Sequence, residues 1–153
     1  MHLLLIASLL FAQDAPMTNL TISGAEAAVF TNSDTNACFF DDDGGNGLNA
    51  QLTDPSSGII ISLRVLGTVG DHPARNQLTA LSLDGTEDDP FVNWSSSNGT
   101  VTLDDVAATV PIEGGDSAIM AGTHGVRGHI DADLTSRQGN IHLSGPFACH
   151  SPL

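Results

Sequence analysis

Apolar residues recur at every second position through much of this chain, and nowhere does a 3.6-residue apolar period persist for three turns. That rhythm predicts strands with one dry and one wet face. The fullest example is Val126–Cys149, where V-R-G-H-I-D-A-D-L and G-N-I-H-L-S-G-P-F-A-C flank the polar connection T-S-R-Q. This is the pattern of an antiparallel hairpin. With Leu134 opposite Gly139, the residues Ile130, Ala132, Leu134, Ile141, Leu143 and Phe147 share one face. Arg127, His129, Asp131, Asp133, Asn140 and His142 share the other, and Cys149 has the parity of the apolar side.

Earlier segments carry the same signal. Thr18–Ser23 alternates, Ala25–Phe30 and Ala37–Phe40 are short candidates around a polar loop, and Leu48–Leu52 pairs back from the glycine-rich Asp41–Gly47. Ile59–Leu66 is the most apolar segment, with Ile59, Ile61, Leu63 and Val65 inward and Ser62 and Arg64 outward. Gly67–Gln77 reads as a loop and Leu78–Leu83 as a strand. Phe91–Ser95 and Thr100–Leu103 flank Ser96-Ser97-Asn98-Gly99, whose Asn-Gly step predicts a hairpin pairing Trp94 with Val101. Val106–Ile112 and Ala118–Ala121 are weaker strands. Together these predict an all-β fold, an antiparallel β-sandwich or flattened barrel of roughly eight to ten strands.

Length adds that one domain is expected, since 153 residues suffice for a single substantial core. An aromatic share of 5% with no Tyr means that this core is chiefly Ile, Leu, Val and Ala. Charge changes the picture more. Four Arg, no Lys and 18 acidic residues give a net charge of −14. Nucleic acid and anionic membrane surfaces would be repelled, because phosphate binding depends on clustered Lys and Arg. Such a surface suits either a high-salt medium, which screens self-repulsion, or an ordinary acidic secreted protein.

Leu3–Ala12 is an unbroken run of small and apolar residues, shorter than the ~20 residues of a membrane-spanning helix. It reads as the core of a secretory signal peptide over residues 1–12, with a single domain over 13–153 beginning at Gln13, although no basic residue precedes it. No membrane span is expected after its removal. Cysteine usage agrees with export. Cys38 and Cys149 are 111 positions apart, far from any metal-knuckle spacing, and predict one long-range disulfide tying an early strand to the last.

Candidate chemistry is sparse. Asp41, Asp43 and Asn46, spaced by glycines, offer the hard oxygen ligands that Ca²⁺ prefers, though the loop lacks the closing Glu of an EF-hand; a solvated acidic turn is the alternative. In the register above, Asp131 lies opposite His142 with His129 diagonal to it. Two imidazoles and a carboxylate would suit Zn²⁺, with His124 able to join from the adjoining loop; a solvated strand face reads the same way. No G-x-S-x-G elbow, phosphate loop or dinucleotide fingerprint occurs. A sugar-stacking platform would rest on Trp94 or on the Phe39–Phe40 pair, which its place beside Cys38 assigns to the core instead. Asn19, Asn93 and Asn98 each open a glycosylation sequon.

The leading expectation is therefore an exported, non-enzymatic binding or structural module acting in the periplasm, at the cell surface or outside the cell. Two others stand beside it. One is a metal-binding exported protein or metalloenzyme using His129, Asp131 and His142. The other is a subunit of an extracellular assembly that donates its N-terminal segment, residues 13–23, to a neighbour's sheet.

Overall fold

A computed structural model of the chain describes residues 18–31, 36–40, 47–83, 87–109 and 124–150. The leader, the segment 13–17, the acidic loop with Asp41, Asp43 and Asn46, and the weak strand Ala118–Ala121 lie outside the described residues.

Alternation becomes strand wherever it was strongest. The elements are β1 (Leu20–Gly24), β2 (Ala28–Phe30), β3 (Ala37–Phe40), β4 (Gly47–Asp54), β5 (Ile59–Leu66), β6 (Gly70–Pro73), β7 (Leu78–Ser82), β8 (Val92–Thr109), β9 (His124–Ser136) and β10 (Gly139–His150). In β5 the inward Ile59, Ile61, Leu63 and Val65 are buried while Ser62 and Arg64 face water, as the two-residue period requires. These strands form one sheet in the order β2-β1-β10-β3-β4-β5-β7-β8-β6, and β9 pairs with both β10 and β8. The ladder thus returns on itself through β9 as a flattened barrel. The core it encloses is aliphatic, with Leu20, Leu48, Leu52, Ile61, Leu78, Leu103, Leu134 and Leu143 fully buried around Phe30 and Phe147.

Among the described residues every neighbouring pair is antiparallel except β10 with β3, which are parallel and joined by one residue pair, His150 with Ala37. This joint is where the barrel is weakest in ladder hydrogen bonds, and it is where the disulfide sits. Cys38 and Cys149 are bonded, fully buried and 5.5 Å apart at Cα. A buried polar cluster reinforces the same place. The Asn36 amide donates to Thr18 Oγ1 (2.9 Å) and to the Ala148 carbonyl (3.0 Å), and its Oδ1 accepts from the Thr53 amide (3.1 Å). The His150 amide donates to the Asn36 carbonyl at 3.1 Å, and the Ala148 amide to Thr18 Oγ1 at 3.1 Å. One side chain therefore ties β10, β4 and the approach to β1 together. β1 itself lies between β2 and β10 of its own chain, with Leu20 and Ile22 in the core.

The Asn98-Gly99 step does not make a hairpin. β8 runs straight through it with a bulge between Ser96 and Asn98, so Trp94 pairs with Ala80 and Val101 with Ile130. Gly99, at φ +114, lies so close to β9 that a Cβ would collide with the Asp131 carbonyl. Tertiary partners outcompeted the turn. The Ala74–Gln77 connection docks on the bulge, with the Ala74 amide donating to the Gly99 carbonyl (3.0 Å) and the Asn76 amide to the Ser96 carbonyl (3.0 Å). Ser96 Oγ is buried beneath it, accepting from the Leu78 amide (3.1 Å) and donating to the Ala74 carbonyl. The bulge also marks a change of partner: β8 pairs with β7 before it and with β6, inside what reads as a loop, after it.

At the β4–β5 turn, Asp54 accepts from Ser56 Oγ (2.8 Å) and from the Ser57 amide (3.1 Å). Burial pushes its carboxyl up, but these hydrogen bonds outweigh burial and hold it below its ordinary value of 3.8. A carboxylate whose pKa is lowered by folding stabilises the fold above that ordinary value and ceases to do so as pH falls through the folded one. Asp54→Asn should therefore lose about 1 kcal/mol at pH 7, with the gap between variant and parent closing only below pH 3.8; urea unfolding at a series of pH values reads this directly. For the joint, removing the disulfide by Cys38→Ser with Cys149→Ser should cost about 4 kcal/mol. In the oxidised parent, Asn36→Ala should cost about 2 kcal/mol, because the Thr53 amide loses its acceptor and the buried Thr18 hydroxyl and Ala148 carbonyl lose a donor.

Candidate functional site

The polar face of β8, β9 and β10 is assembled differently from expectation, for a reason of register. Leu134 pairs with Ile141, not Gly139, and the turn is the two residues Arg137 and Gln138 rather than four. Neither Arg137 nor Gln138 has a positive φ; the left-handed step falls on Gly139, which accepts its φ of +131 without a side-chain clash. The slide is by two positions, so it preserves which residues are dry and which are wet. It changes which wet residues meet.

His142 now faces Asp133, with Nδ1 2.8 Å from Asp133 Oδ1, and its Nε2 is 3.2 Å from Asp131 Oδ1. His129 lies opposite Pro146 and turns to β8, placing Nδ1 2.6 Å from Asp104 Oδ2. Arg127 reaches Asp105 at 3.5 Å, and Thr102 donates to Asp71 at 2.7 Å. The face is thus laced by separate pairs across neighbouring strands. His129, Asp131 and His142 are not gathered around one point: Asp131 reaches His142, but His129 engages Asp104 on β8. Among the described residues no three His, Cys, Asp or Glu side chains are grouped to hold a metal ion. Both nitrogens of His142 already face carboxylates, so a cation would have to displace a partner. The side chain of His124, like Asp41, Asp43 and Asn46, lies outside the described residues.

Register also sets Ser23, His142 and Asp133 in one row across β1, β10 and β9. These are the residue types of a hydrolytic triad, and Asp133 meets Nδ1 as such a triad requires. The second half is lacking: Nε2, which would take the serine proton, is turned to Asp131.

A second feature lies on the outer face of β3, β4, β5 and β7. Phe39 and Phe40 do not enter the core; they are 50% and 40% exposed, whereas Trp94 is 2% exposed. Phe39 has the outward parity of β3, and Phe40, though on the side of Cys38, emerges at the strand's end beyond the core. A groove of ≈ 380 Å³ is lined by Phe39 together with Asn49, Gln51, Arg64, Gln77 and Thr79 among others. Phe39, Asn49 and Arg64 are consecutive partners across three strands, and Gln51, Ser62 and Thr79 form the next row. Among the described residues no acidic side chain lines it. An adjacent-aromatic signal, F-F, was present in the sequence, but nothing in it distinguishes a strand that ends inside the core from one that ends at the rim.

The fold and these faces define an all-β protein, an antiparallel ten-stranded sheet closed by the Cys38–Cys149 disulfide. Among the described residues no helix is long and apolar enough to cross a membrane. Compared with protein-family models, curated proteins and solved structures, the chain matches none.

The pairs on the β8–β9–β10 face are exposed, with His142 and Asp131 side chains 44% and 79% accessible. Exposed ion pairs contribute little. His142→Ala should accordingly shift unfolding stability by less than about 1 kcal/mol, measured by urea titration; a larger loss would mean that this face carries structure which pairwise contacts do not account for.

Proposed function

We propose that the protein is an exported, non-enzymatic β-barrel module that binds or supports a partner in an oxidising compartment. The observation that carries this reading is the buried Cys38–Cys149 bond at the barrel's only parallel joint among the described strands. A disulfide placed where the ladder has a single pair is a structural staple, and staples of this kind persist in oxidising surroundings and are rare in reducing ones. The apolar run Leu3–Ala12 supports the same route. The net charge of −14 argues for neutral or cationic partners. A binding role accords with a polar face whose charges are engaged with each other and a separate groove that presents an aromatic ring and amides to solvent.

The test is intact mass of the whole chain expressed with its own leader in a host that exports proteins. Protein recovered outside the cytoplasm should begin at Gln13 and be lighter than its reduced form by the two thiol hydrogens. A full-length, reduced chain confined to the cytoplasm would overturn the export reading. A specific turnover abolished by Asp131→Ala would overturn the non-enzymatic one.

A further inference from the structure

We infer that the groove on the outer face of β3, β4, β5 and β7 is a binding site for a neutral oligosaccharide, an assignment that rests on the binding-module reading and specifies its ligand. The chemistry begins with Phe39. A half-exposed aromatic ring on a sheet face presents an apolar surface bordered by polar groups, which suits a ligand that is itself apolar on one side and hydroxylated at its rim. Sugar rings have that character: their C–H faces stack on aromatic rings, while each hydroxyl both donates and accepts.

The groove's other side chains match the second requirement. Gln51, Gln77 and Asn49 each carry a donor and an acceptor on one planar group, and Thr79 carries both on one oxygen. Among the described residues Gln51, Gln77 and Thr79 make no side-chain hydrogen bond within the chain, so binding would exchange only their water. Arg64 adds a guanidinium at the edge of the row that begins with Phe39. A peptide adding as a strand would instead call for an unpaired strand edge, and a nucleotide for a phosphate cradle; this is a face within paired strands.

Geometry sets the ligand's size. Phe39 on β3 and Thr79 on β7 are separated by three strand spacings, or roughly 14 Å. That span exceeds a single sugar ring, so a short run of linked sugars fits the groove better than one. Charge sets the class. Although no carboxylate among the described residues lines the groove, the whole molecule carries −14, and a polyuronate would meet that field before it met Arg64. The ligand assigned is therefore uncharged.

The experiment uses the purified, oxidised full domain and isothermal titration with cellohexaose, laminarihexaose and mannohexaose, with a polygalacturonate oligomer as the charged comparison. Binding of at least one neutral hexasaccharide is expected with a dissociation constant of about 10⁻⁴ M. Phe39→Ala should weaken it at least tenfold and Gln51→Ala at least threefold, while Phe91→Ala, which removes an exposed ring elsewhere, should leave it unchanged. The unfolding midpoint of each variant checks that it is folded, and Gln51→Ala keeps the test decisive should Phe39→Ala not fold. No binding of any neutral hexasaccharide, binding indifferent to Phe39 and Gln51, or tighter binding of the polygalacturonate would overturn the assignment. So would a change of sedimentation on Phe39→Ala, which would make the groove an interface between copies. None of these outcomes bears on export, which the intact mass reads by itself.

Discussion

The structure depends on closing a barrel at a place where the backbone alone scarcely closes it. β10 and β3 run parallel and share one residue pair, so the hydrogen-bond ladder that secures every other seam is almost missing there. The buried disulfide and the Asn36 cluster supply what the ladder does not. Their positions are complementary: the sulfur bridge fixes the distance between two strands, and the Asn36 side chain satisfies backbone groups on β10 and β4 that the short parallel contact leaves without strand partners. A disulfide across so long a loop acts mainly on the unfolded chain, whereas the asparagine acts on the native joint. The two effects are independent in origin and meet at the same seam.

From that closure follows the division of the surface. Strands long enough to bend around the barrel, β8 and β9 above all, present an outer face whose charges are laced pairwise, and the bulge at Ser96–Asn98 lets β8 change partners from β7 to β6. The β3–β4–β5–β7 wall, by contrast, carries an exposed ring and amides and, among the described residues, no carboxylate in its groove. In a chain this acidic the two walls are chemically distinct. One is organised by electrostatic pairing, and the other offers stacking and neutral hydrogen bonding, which is why the binding role is assigned there.

Much of this architecture was legible from residues alone. The two-residue period of Ile59–Leu66 named its buried side correctly, and the apolar and polar faces of the last hairpin came out right even though its register did not. A slide by two leaves parity untouched, so face assignment survives an error that rearranges every cross-strand neighbour. That is also why His129 stands apart from the expected grouping: the residue types were on the correct face, but the tight Arg137–Gln138 turn set His142 opposite Asp133 with Asp131 still 3.2 Å from its Nε2, while His129 turns to Asp104 on β8.

Sequence by itself determined the all-β class, the alternation that sorts core from surface, and the pairing of the only two cysteines, because these follow from side-chain chemistry and a local period. Tertiary structure decided the rest. Asn98-Gly99 became a bulge because Ala74–Gln77 docks on it, Phe39 and Phe40 became surface because β3 ends at the rim, and the closing joint fell between strands far apart in the chain. Each of those outcomes turns on which distant segment arrives as a neighbour, and no local pattern carries that information.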